Sequence, residues 1–108
     1  MVDIRRGDTL PLITVTIKNS DGTALDLTNG SAKFIMTDMS DVLKIERAAV
    51  ISSPATGGIV VFTWVAADTV VAGDYKAEME ITYVGGQIIT APAIGFIPIT
   101  IHDDLGGA

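Results

Sequence analysis

The chain has 108 residues, and its 7 Lys and Arg against 13 Asp and Glu give a formal net charge of −6 at pH 7. A chain of this length forms one domain around one hydrophobic core, so residues 1–108 are predicted to be a single domain. The acidic balance argues against nucleic acid as a partner, because phosphate binding needs a basic face. The sequence contains no cysteine, which excludes disulfides, thiolate metal sites and a cysteine nucleophile.

Alternation of apolar and polar residues with a period of two begins near the N-terminus and predicts a half-buried strand. Residues 10–18 place Ile13, Val15 and Ile17 on one face. Asn, Asp and Gly at 19–22 are typical turn residues, because they tolerate the left-handed backbone conformations that turns require. A first strand followed by a turn is therefore predicted.

The middle of the chain continues the same pattern. Asn29-Gly30 favours a tight hairpin, and residues 31–38 then alternate, with Phe34 and Met36 on one face. Residues 42–51 favour one strand or two, although VLKIERAAVI also suits a short helix. Residues 59–65 form a β-branched and aromatic run that predicts a further strand.

The clearest strand is predicted at 75–83, where every second residue is apolar. A single helical turn, beginning at Asp68-Thr69 as an N-cap pair, precedes it. Gly85-Gly86 closes a hairpin to 87–91, and 95–102 forms the last strand. The chain is therefore predicted to be all-β, an immunoglobulin-like two-sheet antiparallel sandwich of about seven strands.

A tyrosine stands at the start of the clearest strand. Ala72-Gly73-Asp74 leads into Tyr75, which matches a tyrosine corner, where the hydroxyl bonds to upstream backbone in immunoglobulin-like sandwiches. Tyr75 is predicted to have this structural role.

No pattern of catalytic residues stands out. His102 is the single histidine, and no G-x-S-x-G sequence accompanies it. Glu78 and Glu80 are explained by the solvent face of an alternating strand. Trp64 and Phe62 are expected in the core rather than on a sugar-stacking platform. We therefore expect no enzymatic activity, no cofactor and no metal.

Segments that would direct the chain to a membrane are not visible. The N-terminal stretch has two arginines but no apolar run of the length a secretory signal needs. The longest apolar runs, such as Ala48–Ile51 and Ile59–Phe62, have four residues, whereas a membrane span needs about 20. We expect no membrane partner.

Three segments, in this order, resemble the N-terminal domain of phage baseplate upper proteins. The first contains Arg6-Gly7-Asp8-Thr9, Pro11, Ile13–Ile17, Asp21-Gly22 and Asp26-Leu27; the second contains Gly58, Val60, Phe62, Trp64, Asp68-Thr69, Ala72-Gly73, Tyr75, Ala77 and Glu78; the third contains Pro92, Gly95–Pro98 and Ile99. The resemblance implies an immunoglobulin-like structural module that anchors a subunit in a baseplate or tail. It implies no catalytic residues.

The expected function is therefore that of a phage or prophage virion structural protein, a docking and assembly module of the baseplate, tail or neck. The expected partners are other virion proteins or copies of the chain itself, in a homo-oligomer within the particle. The expected location is the virion, after synthesis in the bacterial cytoplasm. A capsid decoration protein and a bacterial surface or carbohydrate-binding sandwich module are the alternatives.

Apolar residues on predicted outer faces mark a candidate partner interface. If Phe34 and Met36 point inward, Ile35 points outward; if Val60, Phe62 and Trp64 are core, Ile59 and Val61 face away; and Phe96 lies outside if Ile97, Ile99 and Ile101 are core. A contiguous exposed apolar patch on a lone domain indicates an interface. We expect Ile35, Ile59, Val61 and Phe96 to contact a partner.

Overall fold

The computed structural model describes residues 2–92 and 94–103. Eight strands are present there: β1 Val2–Arg5, β2 Ile13–Thr16, β3 Gly30–Asp38, β4 Leu43–Ile51, β5 Ile59–Phe62, β6 Gly73–Tyr83, β7 Ile88–Ala91 and β8 Ile97–His102. Two short 3-10 helices, η1 Ala55–Gly57 and η2 Ala66–Thr69, complete the regular structure. The predicted all-β class is confirmed.

The long central strands form because their alternating residues separate core from surface. In β3, Ala32, Phe34 and Met36 are buried while the residues between them are half-buried. In β6 the buried positions recur at every second residue from Tyr75 to Ile81. Successive side chains of a strand point to opposite faces, so each strand contributes one row to the core.

The strands follow one hydrogen-bonded order, β1-β8-β6-β3-β4-β5-β2, and β7 pairs with β6. One edge of β6 is paired with β3 along its whole length. The other edge is shared, because β8 pairs with its first half and β7 with its second half. β2 therefore ends the sheet on one side, and β1, beside β8, and β7, beside β6, end it on the other.

Strand β4 belongs to both halves of this sheet. Its residues from Leu43 to Ala49 pair with β3, and Val50 and Ile51 pair with β5. The sheet is consequently continuous and nearly closed, like a barrel, and is not clearly the immunoglobulin-like pair of separate sheets that was predicted. The alternation of apolar and polar residues predicts which residues face inward, but it does not predict that one strand pairs with two neighbouring strands along its length.

The strand count and direction also differ from the prediction. The additional strand is β1, which pairs with β8 in parallel, so the sheet is not wholly antiparallel. Its sequence, VDIR, is short and half charged, and only Ile4 is buried. A segment of this kind becomes a strand through its ladder to β8 rather than through its own pattern.

Three aromatic rings fill the centre of the core. The Phe34 and Phe62 rings stack with centroids 4.0 Å apart, and Trp64 meets both edge-on. The Trp64 indole Nε1 donates a hydrogen bond to the Pro11 carbonyl at 3.0 Å, so its one polar group is satisfied. Strands β3 and β5, from opposite halves of the sheet, thus share one core.

Candidate docking surface

The predicted interface residues separate into two places. Ile59 and Val61 lie on the outer side of β5 and are half-buried. Ile35 lies on the outer side of β3, also half-buried, and Phe96 precedes β8 with 42% of its surface exposed. The four residues therefore face outward, but they do not form one patch.

Ile35 and Phe96 line the same shallow groove, of about 240 Å3, on the outer side of β3 and β6. The Lys76 ammonium lies over the Phe96 ring, 5.8 Å from its centroid, and forms an ion pair with Asp41. This groove is consequently a mixed surface, in which a cation already covers part of the aromatic ring.

Ile59 and Val61 belong to a surface without charge. Cross-strand pairing places Val61 between Val50 and Thr14, and places Ile59 beside Thr16. We call these five residues the β5 face. Val50 is 65% exposed and was not among the predicted interface residues, although the alternation of residues 42–51 places it on the outer face once that segment is known to be a strand.

The outer sides of β3, β4 and β6 carry charges instead. The Lys33 ammonium lies 3.1 Å from a Glu46 oxygen and 3.8 Å from a Glu80 oxygen. The hydrogen bond from Lys33 to Glu46, together with the Glu46 charge, raises the pKa of Lys33. We call Lys33, Glu46 and Glu80 the charged face.

An ion pair sits where β4 passes from one half of the sheet to the other. Arg47 Nη2 donates to Asp68 Oδ2 at 2.7 Å and to the Thr63 carbonyl at 3.2 Å, and its guanidinium lies over the Phe62 ring. Asp68 Oδ2 also accepts from the Val65 backbone N–H. Burial raises the pKa of Asp68, but the hydrogen bonds from Arg47 and Val65 outweigh it and hold that pKa below its ordinary value.

The tyrosine at the start of β6 is buried, and its hydroxyl donates a hydrogen bond to the Val71 carbonyl, four residues upstream, at 2.7 Å. Burial and the nearby Asp38 carboxylate raise the pKa of Tyr75. This hydrogen bond ties the turn before β6 to the strand, and it is of the kind that was expected of Tyr75.

The single histidine, which the sequence analysis considered for catalysis, lies on the surface. His102 Nε2 lies 2.9 Å from Asp3 Oδ1, and both side chains are about half exposed. Within residues 2–92 and 94–103, no group of three or more metal-ligating side chains comes together. No helix in the same ranges is long and apolar enough to cross a membrane.

Comparison with known proteins points to one family. The model of the BppU N-terminal domain matches residues 1–98 of this chain. A solved structure, the N-terminal domain of ORF48 from phage TP901-1, is similar with a TM-score of 0.64 and 16% identity, over 96% of this chain and 84% of that chain. This likeness concerns the fold. No curated protein matches the sequence.

Proposed function

Because the chain belongs to the BppU N-terminal domain family, we propose that it is a structural protein of a phage or prophage virion, acting as a docking and assembly module. The family is that of a baseplate structural domain, which supports the baseplate as its place in the particle. In this proposal the protein binds other virion proteins or copies of itself as a homo-oligomer and carries out no reaction.

The observation that carries the docking role is the β5 face. Three of its five residues are aliphatic, the other two are threonines, and none is charged, although the whole chain has a net charge of −6. A patch without charge lets two protein surfaces meet without desolvating ions. The β5 face is therefore proposed as one partner interface, and the groove with Ile35 and Phe96 as a second.

The aromatic residues support this reading over a carbohydrate-binding module. The chain has six aromatic residues. Phe34, Phe62 and Trp64 are fully buried, and Tyr75 and Tyr83 direct their hydroxyls to backbone carbonyls. Phe96 is the exposed one, and a sugar-stacking platform needs more than one accessible ring. No comparison favours a capsid decoration protein.

Surface substitutions test the proposal in assembling particles. Val50→Lys and Ile59→Lys place a charge on the β5 face, and Phe96→Lys places one in the groove. Because Val50 and Phe96 are exposed and Ile59 is half-buried on the outer side of β5, we expect these variants to fold. We expect incorporation into particles to fall by about tenfold or more for each surface that is used, since burying an unpaired charge costs several kcal/mol.

The matched control is Val84→Lys, which adds the same charge at an 87% exposed valine in the turn between β6 and β7. Incorporation is measured by quantifying the protein in purified particles, and folding by circular dichroism. Normal incorporation of all three interface variants would overturn the proposed interfaces. Absence of the unmodified protein from purified particles would overturn the virion role itself.

A further inference from the structure

The nearly closed sheet has an open seam, where β2 and β7 flank one groove of about 460 Å3. Among the described residues, β2 pairs only with β5 and β7 only with β6. Each strand therefore turns an unpaired edge toward the same groove. A free edge exposes a row of backbone donors and acceptors that can pair with another chain.

The register identifies which backbone groups are free. Ile17 N–H donates to the Gly58 carbonyl at 2.7 Å, so the odd-numbered residues of β2 direct their backbone groups toward β5. By the same alternation, Thr14 and Thr16 direct their N–H and C=O groups to the unpaired edge of β2, and Thr16 lines the groove. On the opposite side, Tyr83 N–H donates to the Gln87 carbonyl, so Ile88 and Thr90 direct theirs to the unpaired edge of β7, where Thr90 lines the groove.

The floor of the groove is the flank of the hydrophobic core. Val15 of β2, Ile89 of β7 and Ile97 of β8 line it, and all three are half-buried side chains packed against the core cluster. They are neighbours of fully buried residues such as Ile13 and Ile99. The core is thus incompletely covered along the seam, and alternate side chains of an added strand would cover it.

The charge at one end of the groove indicates which kind of segment the groove can bind. Lys18, two residues beyond the end of β2, is the charged residue that lines the groove. Arg6, Lys33, Lys44, Arg47 and Lys76 each lie within an ion pair with a carboxylate, but within the described part of the chain Lys18 has none. The whole chain has a net charge of −6, but the end of the groove at Lys18 is positive and is therefore complementary to an acidic side chain.

We propose that the seam accepts an extended segment of another virion protein, which adds a strand between β2 and β7 with alternating β-branched side chains on the core and an acidic residue beside Lys18. Antiparallel pairing with β2 is the more stable ladder, and it puts the acidic residue at the N-terminal end of the segment. The partner's class rests on the proposed function; the strand-addition geometry rests on the register and the groove alone.

A blocked peptide, acetyl-DVTVTV-amide, is the probe, because an Asp opposite Lys18 then lies on the outer face and the three valines face the core. Amide hydrogen exchange followed by NMR is the measurement. In the free protein, the N–H groups of Thr14, Thr16, Ile88 and Thr90 should exchange rapidly because they lack partners. With saturating peptide they should exchange at least about tenfold more slowly, since each becomes part of a ladder. The N–H groups of Val61 and Val50, on the β5 face, serve as internal controls and should not change.

Two variants test the two parts of the proposal. Thr16→Pro removes one groove-facing N–H without removing a ladder bond to β5, and should weaken peptide binding by about tenfold, whereas Thr16→Val keeps the N–H and should bind normally. Lys18→Glu should weaken the binding of acetyl-DVTVTV-amide, and it should bind acetyl-KVTVTV-amide more tightly than the unmodified protein does.

Three outcomes would overturn the proposal: no protection at millimolar peptide, protection confined to N–H groups of β4 and β5 such as those of Val50 and Val61, or equal binding by the Thr16→Pro and Thr16→Val variants. Dimerisation of the free protein with prior protection of the four N–H groups, seen by light scattering, would assign the seam to a second copy and also overturn it. The peptide experiment uses no particles, so its failure leaves the baseplate role standing, and exclusion from particles would not affect peptide binding.

Discussion

The charged face and the β5 face differ in composition although strand β4 contributes to both. On the charged face, Glu46 of β4 pairs with Lys33 of β3. Four residues later the same strand presents Val50, exposed, beside Val61 of β5. On both faces, the outward side chains alternate along each strand with buried side chains of the same core. Folding therefore does not require the outward side chains to be either charged or apolar. The contrast teaches that the outer side of each half of the sheet is free to differ in composition, and it is the reason that we propose the uncharged β5 face as a partner surface.

The substitution with the largest expected effect on stability tests whether the two faces share one core. Phe62→Ala removes a ring that stacks on Phe34 and meets Trp64. We expect a loss of about 3–5 kcal/mol in the free energy of unfolding, because a fully buried aromatic side chain leaves a cavity. Urea denaturation measures it. Both halves should unfold together in one transition, and Val84→Ala, at an exposed site, should change stability by less than about 0.5 kcal/mol. Two separate transitions would contradict the shared core.

An intermediate effect tests the ion pair where β4 changes partners. Asp68→Asn keeps an oxygen for the Val65 N–H but removes the charge that pairs with Arg47. Because the folded-state pKa of Asp68 lies below its ordinary value of 3.8, its stabilisation is present above that value and is lost as pH falls through the folded pKa. We expect a loss of about 1 kcal/mol at neutral pH, discounted for the partial exposure of Arg47.

The pH dependence of stability distinguishes the contribution of the Arg47–Asp68 ion pair from the effect of protonating the other carboxylates. Unfolding free energies of the unmodified protein and Asp68→Asn should differ at pH 7 and converge as the pH falls below the folded-state pKa of Asp68, which lies under 3.8. Glu78→Gln, which removes a carboxylate that forms no ion pair within the described ranges, is the control and should track the unmodified protein. A constant difference across the whole pH range would show that the charge of Asp68 is not responsible.

The smallest effect is expected on the charged face itself. Lys33→Met removes the cation shared by Glu46 and Glu80, yet exposed pairs contribute little because water and salt screen them. The thermal midpoint should stay within experimental error of the unmodified protein, and particle incorporation should be normal. Incorporation that fails in Lys33→Met as it does in Val50→Lys would remove the distinction between the two faces.

Much of the fold follows from alternation alone. Inward rows such as Phe34 with Met36, and Val60 with Phe62, are readable from the sequence because side chains of a strand alternate strictly between faces. The outward direction of Ile35, Ile59 and Val61 follows from the same rule, whereas Phe96 lies just before β8, outside the strand. Turn residues similarly mark where the strands end.

Only the tertiary structure decided how these strands combine. Strand β1 forms through pairing with β8, at the far end of the chain, and β4 divides its pairing between β3 and β5. Val50 lies beside Val61, and the free edges of β2 and β7 face one groove, through contacts between residues far apart in sequence. A periodic pattern determines which side of a strand is buried, because that depends on the residue and its neighbours along the chain. Which strands pair, and which edges stay open, depends on long-range ladders that no local pattern encodes.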